Sequence, residues 1–143
     1  MSATSVAMDP DERDAFLGRG GTGVLSLSTD EGPPHGVPVS YGYDSAEETF
    51  YFRLAVGATH SKGRLPDRPA SFVTFDRADG GWHSVVAAGR LEGVERKGIE
   101  TATLEGLRRV EIPLVGIFDR PAREVDFEFY RLVPEELTGR VQS

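Results

Sequence analysis

The sequence predicts a mainly β fold, a six-stranded antiparallel β-barrel with two or three helices on its rim. Three observations carry this. Apolar and polar residues alternate in short runs, as in 23–29 and 125–133, which is the patterning of strands with one buried face. Turn residues recur at short spacing, in Asp30-Glu31-Gly32-Pro33-Pro34, in 45–48 and in Ala78-Asp79-Gly80-Gly81. The crossover helices that a parallel sheet needs between successive strands are missing.

Residues 1–8 are small and polar and are expected to be a flexible N-terminus, leaving 9–143 as a single domain. Asp9-Pro10-Asp11-Glu12 opens a short helix, with Asp9 as N-cap, Pro10 in the first turn, and Phe16 and Leu17 on its apolar face. Gly18, Gly20 and Gly21 end it, and Gly20-Gly21-Thr22-Gly23 is expected to be a turn, since it is not a GxGxxG fingerprint and precedes a strand. Strands follow at 23–29 and 35–43. Pro38 sits inside the second, and because proline cannot donate to a ladder it belongs at an edge, a bulge or a barrel opening. The third strand is 49–54. A helical turn at 59–65, closed by Pro66, leads to the fourth at 70–76. The fifth, 82–95, is long, and Gly89 within it marks a bulge or corner. Ile99, Thr103, Leu107 and Val110 repeat near helical period in 97–110, whereas 112–123, bracketed by Pro113 and Pro121, fits a loop or a short strand. The sixth strand is 125–133, and 134–139 turns into a short tail, 140–142.

Composition narrows the function. With no cysteine there is no disulfide, thiolate metal site, iron–sulfur cluster or cysteine nucleophile. The net charge of -7 argues against nucleic acid as a partner. No apolar run approaches the roughly 20 residues that cross a bilayer, and the N-terminal residues lack the basic start and apolar core of a signal peptide, so a cytoplasmic location is expected. The sixteen cations include only two lysines, Lys62 and Lys97.

The histidines, His35, His60 and His83, have no metal-binding spacing, and no metal site is expected. After Gly57 the chain runs through Thr59, His60, Ser61 and Lys62 into the helical turn. Hydroxyls, free backbone N–H groups and a cation at a helix start can hold a phosphate; an N-cap with a solvated lysine explains the same residues. Pro38 leaves a local gap in its ladder where neighbouring backbone groups can meet a ligand's polar edge, or else simply protects an edge strand.

In order and spacing, Pro34-His35-Gly36-Val37-Pro38-Val39-Ser40-Tyr41, then Tyr51-Phe52-Arg53, Gly57 through Ser61-Lys62, and Trp82-His83-Ser84-Val85 with Gly89 resemble the pyridoxamine 5'-phosphate oxidase-like family of FMN-binding split β-barrels. The resemblance spans roughly residues 10–140. It implies a homodimer with FMN at the subunit interface. Val37, Val39 and Ser40 would meet the isoalloxazine and ribityl chain, Phe52 and Arg53 would lie beside the cofactor, and Ser61 and Lys62 would hold its phosphate. Trp82, His83 and Ser84 would reach toward the flavin of the same or the partner subunit. The chain departs from the vitamin oxidases in lacking their C-terminal Arg-x-His motif, which argues against pyridoxamine phosphate as substrate. The expected function is therefore a flavin-dependent oxidoreductase of unknown substrate. The alternatives are a deazaflavin-dependent reductase, and a non-catalytic flavin or haem carrier with His60 or His83 as haem ligand.

Overall fold

The structure, a computed structural model, describes residues 5–55, 68–78, 80–94 and 127–142. In chain order the elements are β1 (Ser5–Ala7), α1 (Pro10–Leu17), β2 (Gly20–Leu27), β3 (His35–Asp44), β4 (Thr49–Ala55), β5 (Pro69–Ala78), β6 (Gly81–Val94), β7 (Phe127–Leu132) and β8 (Glu136–Gln142). They form one sheet in the order β1-β8-β6-β5-β2-β3-β4-β7, and β7 returns to pair with β6. Strands β2, β3, β4, β7, β6 and β5 thereby close a six-stranded antiparallel barrel, as the alternation predicts.

Alternation also decides which side chains fill it. Leu25, Phe50, Phe52, Phe72, Val85 and Leu132 are fully buried and come from five different strands. Phe72 is the centre of the cluster, tilted against Phe52 at 5.0 Å and edge-on to Tyr41 at 5.0 Å. Such pairs contribute about 0.5–1.5 kcal/mol each beyond the area they bury.

Strand β6 has β5 along one edge and two partners along the other. Residues 82–88 pair with β8 and 91–94 with β7. Gly89 lies at the change of partner, where a Cβ would stand 2.9 Å from the Val133 carbonyl oxygen. The expected corner is therefore real, and glycine is required by close approach.

Three expectations are corrected. Gly20-Gly21-Thr22-Gly23 is the start of β2, not a turn. Gly21 and Gly23 share the inward face of Leu25 and Leu27, and a Cβ on Gly23 would come within 2.6 Å of the Phe72 ring. They are glycines because aromatic rings occupy the space. The N-terminal stretch is tied down from Ser5: β1 pairs with β8, and the N–H of Met8 donates to the Gly139 carbonyl at 2.9 Å. The residues read as a turn and tail are β8 itself. Its inward face is Leu137, Gly139 and Val141, too thin an apolar pattern to mark a strand, and the missing side chain at Gly139 is the space that Met8 fills.

Among the described residues there is one helix. The N–H of Glu12 donates to Asp9 Oδ1 at 2.8 Å, and Gly18 closes the helix at a φ of 60°. Helix α1 is pinned across one end of the barrel. The Tyr41 hydroxyl donates to the Leu17 carbonyl at 3.0 Å, and the Tyr43 hydroxyl to Asp14 Oδ1 at 2.8 Å. Arg13 reaches Glu48 at 2.9 Å. The expected helical turn at 59–65, the helix at 97–110 and the segment 112–123 lie outside the described residues.

Candidate functional site

The barrel is split between β3 and β4. Their ladder runs from Asp44–Thr49 to Ser40–Arg53 and stops, while β4 continues with β7 as far as Ala55. Along its other edge β3 stays paired with β2 back to His35. Residues 35–39 therefore have a strand on one side only among the described residues. Pro38 lies in this stretch, opposite Val24, so the residue that cannot donate sits where the ladder has parted. Backbone groups along a strand edge freed in this way are suited to the polar edge of a planar ligand.

Around the parting the structure brings together several residues singled out from the sequence. Ser40 and Arg53 are cross-strand partners, and Phe129 of β7 is the next neighbour of Arg53. Ser40 is buried and Arg53 half-buried. Burial lowers the Arg53 pKa from its ordinary value, which marks a guanidinium held partly away from water. Val39 is buried and Val37 packs against the core, so these two offer a ligand their backbone more than their side chains. Phe52 has no exposed surface, and its ring lies parallel to Phe50 at 6.4 Å inside the barrel.

Trp82, His83 and Ser84 stand elsewhere, at the start of β6 and beyond the last described β2–β5 pair. Strand parity separates them. Trp82 is outward and 47% exposed, and Ser84 is on its face. His83 turns the other way, its ring stacked on Phe16 of α1 at 5.5 Å, and its Nδ1 is buried without a hydrogen-bond partner. Ser61 and Lys62 lie outside the described residues. Among the described residues no three potential metal ligands cluster.

Two features escaped the sequence. Phe129 belongs beside Arg53, which follows only from register. A cleft of about 520 Å³ opens on the outer face of β2, β5 and β6, with Ser26, Ser71 and Arg90 in its lining. It is built on the Ser26–Ser71–Ala88 row of the sheet, away from the Ser40–Arg53 pair. Among the described residues no helix is long and apolar enough to cross a membrane.

Known structures share this architecture. The FAD binding protein of Mycobacterium smegmatis is 20% identical, with 94% of this chain and 98% of that one aligned at a TM-score of 0.69. A FAD-binding protein of Mesorhizobium loti is 21% identical, with 99% of each chain covered and a TM-score of 0.69. The heme binding protein of Mycobacterium smegmatis is 19% identical over 90% of this chain and 51% of its own, with a TM-score of 0.59. At these identities the likeness is one of fold. No curated protein matches the chain. A family profile described as pyridoxamine 5'-phosphate oxidase matches residues 9–141, and with nearly the whole chain inside that match, the protein belongs to this family.

Proposed function

We propose that the protein binds a flavin, FMN in the first instance, and acts as a flavin-dependent oxidoreductase. The observation that carries this reading is the parting of β3 from β4 at Ser40–Arg53. It sets a one-sided strand edge, a buried hydroxyl and a partly desolvated cation around one opening. A bound flavin would supply the hydride and electron chemistry. The chain's own residues would bind and orient. The backbone at Val37 and Val39 would meet the ring's polar edge, Ser40 would add a hydrogen bond, and Arg53 would favour negative charge near the ring. Ser61 and Lys62 would take the phosphate, as the family resemblance implies. No side chain is assigned as acid or base.

His83 is poorly placed as a haem ligand: Phe16 covers a face of its ring and Nδ1 is walled off, leaving at most Nε2. A deazaflavin with a longer acidic tail would want more cations than Lys62 supplies.

Absorbance of freshly purified protein separates these cases, and FMN titration tests the phosphate assignment. Losing a charge-assisted hydrogen bond costs about 1.5–3 kcal/mol, so Lys62→Ala should weaken FMN binding roughly ten- to hundred-fold. Unchanged binding by that variant would remove Lys62 from the site. A homodimer sharing the cofactor is also proposed. Val24 and Val86 are 41% and 40% exposed on the outer sheet face, in one row with Val73 and Pro38. An apolar row of this kind is normally covered.

A further inference from the structure

Beyond the last described β2–β5 pair, the outer face of the β5–β6 hairpin carries an unusual set of side chains. Cross-strand register places Phe75, Ser84 and Arg140 in one row, and Arg77, Trp82 and Gln142 in the next. Phe75 and Trp82 are 62% and 47% exposed and lie 6.0 Å apart, tilted at 54°. The Arg77 guanidinium stands over the Trp82 ring at 5.6 Å. Arg140 is exposed on the same face and donates to the Ser5 hydroxyl at 3.1 Å. No acid belongs to either row. Asp76 pairs with His83, on the opposite face, and the nearest acid along the outer face of β8 is Glu136, two outward positions beyond Arg140.

In a chain of net charge -7, two arginines flanking two exposed aromatic rings, with no acid in either row among the described residues, form a local inversion of charge. Exposed indole and phenyl faces recruit planar, polarisable groups, and guanidinium forks recruit carboxylates. A ligand that is aliphatic, cationic or bulky in three dimensions would use only part of this set. We propose that this face binds planar aromatic acids, the ring on Trp82 and Phe75 and the carboxylate at Arg77 and Arg140. Trp82 and Ser84 belong both to these rows and to the residues that the family resemblance turns toward the flavin of the same or the partner subunit. On the reading that the protein is a flavoenzyme, aromatic acids are then the substrate class the site admits.

The chain has one tryptophan, so its fluorescence reports this face directly. As-purified protein is titrated with benzoate, with cyclohexanecarboxylate as a non-aromatic acid and with benzamide as a neutral aromatic. Saturable quenching by benzoate, at least about tenfold tighter than by either control, is expected. Arg77→Gln and Arg140→Gln should each weaken benzoate by about tenfold. Both positions are exposed, so folding should survive, and circular dichroism checks it. Equal response to benzoate and cyclohexanecarboxylate, or none to benzoate, overturns the proposal. So does a tryptophan that acrylamide cannot reach, because the face is then covered by protein. The flavin reading fails separately. Protein that takes up no flavin but binds benzoate leaves this site standing as a binding site alone, and protein that binds flavin but not benzoate leaves only the cofactor.

Discussion

Gly23→Ala isolates the way the barrel is filled. The new Cβ would stand 2.5 Å from the Val73 carbonyl oxygen and 2.6 Å from Phe72 Cζ. The first contact is with backbone held in the β2–β5 ladder, and the second with a fully buried ring. Neither can step aside cheaply, and overpacking of this kind costs about 1–3 kcal/mol. Restricting the unfolded chain returns about 0.4–1 kcal/mol. A net loss of roughly 2 kcal/mol is expected, since the strain falls at the upper end of its range. Unfolding entropy for 143 residues is about 0.3 kcal/mol per degree, which converts the loss into a fall of roughly 7 °C in Tm. Gly36→Ala is the control. Its Cβ would meet only Val24 Cγ1 at 3.6 Å, an ordinary contact, so stability should hold or rise slightly. Urea unfolding of both variants, compared by midpoint at equal slope, gives the answer. Equal stability of the two would refute the inward placement of Gly23 and the seat of Phe72.

The remaining expectations rest on other parts of the molecule. Burial pushes the Tyr41 hydroxyl up to about 12, and burial with the Asp14 hydrogen bond pushes Tyr43 up as well. A raised folded-state pKa stabilises below the unfolded value near 10, and for Tyr41 this is lost as pH climbs from about 10 to about 12. Tyrosinate absorbance should then rise together with loss of near-ultraviolet circular dichroism; ionisation of all four tyrosines before unfolding would contradict it. Asp9→Ala removes the N-cap of α1 and should cost about 1 kcal/mol in chemical denaturation, with Asp9→Asn nearly neutral. Light scattering at micromolar concentration should give twice the 15.6 kDa chain mass, and a flavin-loaded monomer would defeat the shared-site proposal. Pyridoxamine 5'-phosphate should not be turned over. Arg131, an arginine available in the C-terminal stretch, is ion-paired with Glu92 across the β6–β7 closure.

How much of this was legible in the sequence depended on whether a residue's role was local. The N-cap at Asp9 and the break at Pro38 were readable because local chain chemistry sets them, and Gly89 was readable as a corner although its glycine identity answers to the distant Val133 carbonyl. Gly21 and Gly23 misled because their glycine identity answers to Phe72 and Tyr41, which approach from other strands. Strand β8 was lost because its inward face is finished by Met8, far away in sequence. At the candidate site, Ser40 and Arg53 were singled out by motif, yet their pairing with each other and with Phe129 needed register. Phe52 was placed beside the cofactor by the family resemblance, and its seat inside the barrel was not legible because alternation alone does not say which face is the inner one.

The two-partner edge of β6 has a consequence for solubility. Closure needs only residues 91–94 of that edge, so a chain cut before Glu136 would keep its barrel. It would also bare a row of N–H and C=O groups along 82–88, a template on which identical chains add strands to one another. With β8 present that row is occupied, and among the described residues the sheet then ends on β1, three residues long and too short to seed a neighbour. The C-terminal strand thus guards against aggregation more than it holds the barrel shut, and its loss should appear as turbidity before it appears as unfolding.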